Sequence, residues 1–188
     1  MKLDQKLRRK EIVEEQPPGK RMMERWPALF TESQVFAEFY RVASQSLDRL
    51  LQPINTQAND ITTTRTAVLQ CLPLHLGDDS SEFFIRVSDS DTNYDFTQVP
   101  VGVLSVMTED TPPKISSIAI ILEGNLVLDE IPTHAQALCL LFGLIYALHL
   151  DYPKGMKNTF EFIQKILLNL GQQKLSPKLQ TLKNALLI

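Results

Sequence analysis

The sequence predicts an α+β fold: helices at the amino-terminal end, a small antiparallel sheet built around a hairpin at residues 117–131, and three helices at the carboxyl-terminal end. Three observations predict it. Apolar side chains recur at helical spacing from Val35 through Phe39 to Leu47, and again from Met156 through Phe160 to Ile163. Two apolar runs, 117–123 and 126–131, flank Gly124-Asn125, a two-residue loop with Gly first, as the type II′ turn of a hairpin prefers. Residues 133–150 are apolar nearly all round, which marks a helix buried on most of its circumference. With 188 residues and 44% apolar side chains, the chain holds about one domain and can bury a sizeable core. Residues 1–52 read as an N-terminal helical segment and 53–188 as the α+β domain, or the two as one continuous domain.

The elements follow in order. Residues 2–15 read as an exposed helix, with Lys10 and Glu14 one turn apart and few apolar side chains between the charges. Pro17-Pro18-Gly19 stops it. A short helical stretch with Met22, Met23 and Trp26 runs up to Pro27. Thr31-Glu-Ser-Gln34 matches a capping box. The stripe behind it, with Phe36, Tyr40, Ala43 and Leu50 beside the residues named above, reaches Leu51, and Pro53 closes that helix.

Residues 54–98 are the least legible. Ile61-Thr-Thr-Thr64 and Ala67-Val-Leu-Gln-Cys-Leu72 suit strand and helix alike. Phe83-Phe-Ile-Arg-Val87 lies between polar loops at 77–81 and 88–93. Residues 99–107 are rich in Val, with Pro100 near their start, and read as a strand beginning at a sheet edge. The Gly124-Asn125 turn pairs Leu122 with Val127 and Ile120 with Asp129. One face then carries Ile118, Ile120, Leu122, Val127 and Ile131, and the other Ala119, Ile121, Leu126 and Leu128. Both faces are apolar and both require cover. Pro132 introduces the helix of 133–150, and Asp151, Pro153 and Gly155 break it. Leu167 and Leu170 extend the stripe of the next helix, with Gly171 as its C-cap. Ser176-Pro177 opens the last helix, whose stripe is Leu175, Leu179, Leu182 and Leu186.

Charge and cysteine usage exclude several classes. There are 19 Lys+Arg against 22 Asp+Glu, a net charge of −3. The average conceals an acidic middle between two mildly basic ends: +3 over residues 1–25, −10 over 26–155 and +4 over 156–188. Wholesale binding to nucleic acid or to an anionic membrane is disfavoured. The longest apolar run, 137–148, is well short of the ~20 residues a membrane-spanning helix needs. The charged start, with Lys2, Asp4 and Lys6, has no apolar stretch of the secretory type. Cys71 and Cys139 make neither a metal spacing nor a disulfide framework. They read as free thiols of a reducing compartment, the cytoplasm or the nucleus.

Each motif with chemical potential has a plainer reading beside it. Asp89, Asp91, Asn93 and Asp95 imitate the ligand spacing of a calcium loop. However, Tyr94 stands where Gly must make the sharp turn and Pro100 where a bidentate Glu is required, so a solvated acidic loop accounts for them better. His75, His134 and His149 are helix-boundary histidines. The latter two, fifteen residues apart, would lie about 22 Å apart on one helix, too far to share a metal. His149 and Asp151 supply half of a triad's logic, but no nucleophile elbow accompanies them. Lys6-Leu-Arg-Arg-Lys10 could be a nuclear signal or a phosphate contact. The glutamates Glu11, Glu14 and Glu15 that follow favour a solvated, salt-bridged helix. Phe36, Phe39 and Tyr40 most simply face the core, as does the leucine stripe of the last helix. Should that helix protrude, its stripe becomes a docking surface. No catalytic, cofactor-binding or metal-ligating residue is assigned, and no cofactor.

Several blocks of sequence are nevertheless distinctive: Arg8-Arg-Lys-Glu-Ile-Val-Glu-Glu-Gln-Pro-Pro18, Arg25-Trp-Pro-Ala-Leu-Phe-Thr-Glu-Ser-Gln-Val35, Ile120-Ile-Leu-Glu-Gly124, Ala137-Leu-Cys-Leu-Leu-Phe-Gly-Leu-Ile-Tyr146 and Leu150-Asp-Tyr-Pro-Lys154. Together they resemble the C-terminal region of the fish proteins named sterile alpha motif domain-containing protein 3-like. That resemblance implies no catalytic residues. It implies that longer relatives carry an upstream sterile alpha motif domain, a helical protein-interaction module, which this chain lacks. The leading expectation is a non-enzymatic protein-interaction or scaffold module with unidentified protein partners, itself among the candidates. The alternatives are a remnant or unrecognised hydrolase using Asp89, Asp91, His149 or Asp151, and weak nucleic-acid binding through the basic ends.

Overall fold

In the computed structural model, residues 2–51, 61–91, 94–171 and 175–186 are described. Pro53, Asn93 and the side chains of Leu182 and Leu186 lie outside the described set. The fold is α+β. Helices α1 (Lys2–Glu15), α2 (Gly19–Arg25), α3 (Glu32–Ala43), α4 (Asp48–Leu51) and α5 (Ile61–Leu76) precede strands β1 (Phe84–Ser88), β2 (Val101–Met107), β3 (Ile115–Leu122) and β4 (Asn125–Leu128). Helices α6 (His134–Leu148), α7 (Lys157–Phe162) and α8 (Pro177–Leu186) follow. Within the stretch that is least legible in the sequence, Ile61–Leu76 is helix, with Pro73 accommodated inside it.

The sheet has the order β1-β2-β3-β4 and is mixed rather than wholly antiparallel, because β1 runs parallel to β2. A parallel pair needs a crossover of about a dozen residues, and segment 89–100 provides it. Its Phe96 and Val99 pack over Val87, Leu104, Ala119 and Ile121 on one face of the sheet. Pro100 therefore stands ahead of an interior strand, not an edge strand.

The hairpin turns one residue earlier than the sequence suggests. Glu123 (φ 49°) and Gly124 (φ 74°) are both left-handed, the pattern of a type I′ turn. Leu122 pairs with Asn125 and Ile121 with Leu126, while Ile120 faces Leu128. Val127 is thus an extra residue, and Val127 and Leu128 both join the helix-facing core. The cause lies outside the hairpin. The carbonyls of Pro100 and Val99 accept the Glu123 and Gly124 N–H groups at 2.7 and 2.9 Å. A Cβ on Gly124 would meet the Thr97 backbone at 2.8 Å.

Helix α6 covers the other face. Its Leu141, Phe142 and Leu144 are fully buried, beside Val103, Ile120 and Leu122 of the sheet. Thr133 accepts the Gln136 N–H and caps the helix. Gly143 lets α3 approach closely: a Cβ there would lie 2.6 Å from Val35 and 2.7 Å from Leu47. An aromatic array of Phe39, Phe142, Tyr146, Tyr152 and Phe160 ties α3, α6 and α7 together. Helix α3 itself ends early, at Ser44 in the left-handed conformation, yet Leu47 still reaches the core. The capping box does not form: Thr31 Oγ1 donates to the Ala28 carbonyl instead.

The stripe of α7 changes phase. Met156, Phe160 and Ile163 are buried, but a π-helical turn at Ile163–Leu167 adds one residue to the period. Leu168 is consequently buried (0% exposed) and Leu167 turns out (39%). The start of α7 is capped from a distance. Asp78, in the loop after α5, accepts from Thr159 N and Thr159 Oγ1 at 2.7 Å each and from Asn158 Nδ2 at 2.9 Å. In α8, Leu179 is buried against Leu76 and Phe162, and Ser176 accepts the Leu179 N–H.

Helix α1 docks differently. Ile12 is its fully buried apolar anchor, while Arg8 (8% exposed) forms an ion pair with Glu38 of α3 (4%), which also pairs with Arg41. Buried Glu11 accepts from Arg25 Nη1 at 3.0 Å and Trp26 Nε1 at 3.3 Å. The helix is therefore not exposed all round: part of its charge faces inward. The Glu123 carboxylate accepts the Gly19 N–H, tying α2 to the hairpin tip. Residues on both sides of position 52 share one hydrophobic cluster.

Candidate functional site

The acidic loop after β1 is built of local turns. The Asp95 carboxylate accepts the Thr97 N–H at 2.9 Å, and those hydrogen bonds hold its carboxyl below the usual range. Ser88 and Ser90 bond to each other through their hydroxyls. Asp89, Asp91 and Asp95 are all exposed. Among the described residues, no group of three or more His, Cys, Asp or Glu side chains is placed to hold a metal ion.

The three histidines occupy three different settings. His75 is exposed near the end of α5. His134 is buried at the start of α6, with Nε2 at 2.8 Å from Ser105 Oγ of β2. Burial, and after it the positive charge of Arg86, holds its imidazole below the ordinary value. His149 ends α6 in the left-handed conformation (φ 57°) and is exposed. Cys139 is buried, its Sγ donating to the Leu47 carbonyl, and burial pushes the thiol up to about 12. Cys71 is exposed, and both cysteines are free.

The basic cluster of α1 is not a single patch. Arg8 turns inward to Glu38, Arg9 donates to the Ala147 carbonyl at 3.2 Å, and Lys10 faces solvent beside Glu14. The aromatic stripe of α3 divides likewise, with Phe39 buried and Tyr40 turned out (61% exposed).

The described polar groups of greatest interest converge at the carboxyl-terminal end of α6. A cleft of about 460 Å³ opens there between α1, α3, α6 and the π-helical turn. It brings together His149 and Asp151, which the sequence paired, with Arg9, Tyr146, Tyr152 and Gln164, which it did not. Asp89 and Asp91 stand elsewhere, after β1. Tyr152 donates its hydroxyl to Gln164 Oε1 at 3.0 Å. Tyr146 lies beside both, and burial pushes the two phenols above their ordinary range. The side chains lining the cleft include no Ser, Thr or Cys, and its hydroxyls are the phenols of Tyr146 and Tyr152. Tyr146 carries a faint sequence signal, as a polar-tipped residue in an otherwise apolar helix. Arg9 carries none, since α1 shows no periodicity that selects its inward face.

Among the described residues, no helix is long and apolar enough to cross a membrane. No curated protein and no solved structure matches the chain significantly. A family model described as sterile alpha motif domain-containing protein 3, helical domain, matches residues 1–31. That span holds α1, α2 and the 3₁₀ turn Pro27–Phe30, and it ends at the residue before α3. Over these helices the chain resembles sterile alpha motif domain-containing protein 3-like proteins.

Proposed function

We propose that this chain is a non-enzymatic protein-interaction or scaffold module acting in the cytoplasm or nucleus. One observation carries the reading: α1 turns two of its own apolar side chains, Leu7 (53% exposed) and Val13 (47%), into solvent while burying charged ones. A surface helix ordinarily does the reverse, and the apolar side chains that α1 leaves in water are available to a protein partner. The same helix lies within the span similar to the helical domain of the sterile alpha motif protein. The test has two arms, sedimentation velocity of the full chain across a wide concentration range and affinity capture with the wild type beside a Leu7→Ser/Val13→Ser variant. Both side chains are exposed, so the variant should keep the wild-type melting temperature. The reading expects self-association, or a reproducible partner, that the variant loses. A monomer with no partner, or equal capture by the variant, overturns it.

A further inference from the structure

Four arginines of the N-terminal helices, Arg8, Arg21, Arg25 and Arg41, each have a glutamate within ion-pair distance. Arg9 does not. Among the described residues it is half-buried at the rim of the α6 cleft, and its one hydrogen bond goes to the Ala147 carbonyl. A guanidinium has five N–H donors in a planar fork, so most of its capacity is unused on the cleft side.

The rest of the lining fits the same demand. Tyr146, Tyr152 and His149 bring hydroxyls and an imidazole, whereas Asp151, the one carboxylate of the lining, is exposed and lies outside ion-pair distance of Arg9. Val42, Ile145 and Leu150 are apolar. The volume is within the range of small-molecule sites, which combine apolar walls with a few converging polar groups. An inorganic anion would leave those walls unmatched, and a neutral apolar molecule would leave the guanidinium unmatched.

We propose that this cleft binds a small aromatic carboxylate, with the carboxylate on Arg9 and the ring against Tyr146 and Tyr152. The planar fork matches a carboxylate in a bidentate manner, and the tyrosine rings offer offset or edge-on contact to an aromatic body. The site is independent of the protein-interaction reading, because it uses the inward flank of α1 and not Leu7.

The test is amide-resolved NMR titration of the full chain with benzoate, phenylacetate and indole-3-acetate. Benzamide serves as neutral isostere and inorganic phosphate as bare anion. At least one carboxylate should give saturable shifts confined to α1 near Arg9, the α6 end and the turn holding Gln164. Benzamide and phosphate should bind about tenfold more weakly or not at all. Arg9→Gln should weaken binding about tenfold or more, with Arg9→Lys between it and the wild type. Val42→Phe should fill the cleft and abolish binding with Arg9 intact. No saturable shift with any of the three carboxylates overturns the proposal. So does binding that benzamide reproduces, or binding that folded Arg9→Gln and Val42→Phe proteins retain.

Discussion

Helices α6 and α1 are nearly equal in length, 15 and 14 residues, and are attached to the molecule by opposite means. Helix α6 is wrapped by the sheet, α3 and α7, and most of its side chains are buried and apolar. Among its described side chains, helix α1 contributes one fully buried apolar anchor, Ile12, and these also hold on through Arg8–Glu38, Glu11–Arg25 and Arg9 on the Ala147 carbonyl. Apolar burial is non-directional and tolerates a change of shape at constant volume. A buried ion pair does not tolerate loss of one partner, because the other is left as an uncompensated charge. The two regions should therefore fail under different substitutions.

The largest effect is expected in the α6 region. Phe142→Ala removes the ring shared by Phe39, Tyr146, Tyr152 and Phe160 and should cost about 3–5 kcal/mol in urea unfolding. The volume-conserving Leu140→Met on the same helix should cost less than about 1.5 kcal/mol. Glu38→Gln is closer still in shape, yet it strands Arg8 and should cost about 3 kcal/mol. A cost for Glu38→Gln no larger than that for Leu140→Met would erase the distinction. Asp78→Ala comes next. It leaves the first N–H groups of α7 and the Thr159 hydroxyl without their acceptor, and should cost about 2 kcal/mol.

The smallest effect is a pH dependence at the α6–sheet boundary. Burial depresses the His134 pKa below 6.5, so the unfolded chain binds the proton more readily than the folded one. The stability that a neutral His134 secures is present above pH 6.5 and lost as pH falls below it. Ser105 faces the ring, Arg86 is the nearby cation, and the amino-terminal end of α6 adds its positive dipole. His134→Gln should flatten the urea-midpoint profile between neutral and mildly acid pH. An unchanged slope would show that the buried imidazole contributes nothing to it.

Much of this architecture is legible in the chain because it rests on local pattern. The α6 run, the Ser176 start, and the helix-facing residues Ile118, Ile120, Leu122 and Ile131 follow from periodicity and capping chemistry. Departures occur where a distant group intervenes. The hairpin turn moves because Val99 and Pro100 claim the Glu123 and Gly124 N–H groups. Leu168 replaces Leu167 because a π-helical turn carries no propensity signal. β1 lies parallel to β2 although the loop joining them, 89–100, carries no helical pattern in the sequence. The length of that loop was the available clue.

The cleft was half legible. His149 and Asp151 are two residues apart in sequence and do share it. Arg9 and Gln164 arrive from opposite ends of the chain, and no spacing rule joins them. Asp78 likewise reads as loop polarity until its partners 80 residues away are in place.

The claim that charge holds α1 while apolar packing holds α6 is tested most directly by native-state hydrogen exchange resolved to each helix, with and without Glu38→Gln. The account predicts that the amides of α1 exchange through an opening of lower free energy than those of α6. It also predicts that Glu38→Gln lowers the α1 opening energy more than that of α6. Exchange of α1 and α6 in a single event, lowered equally by the substitution, would contradict it.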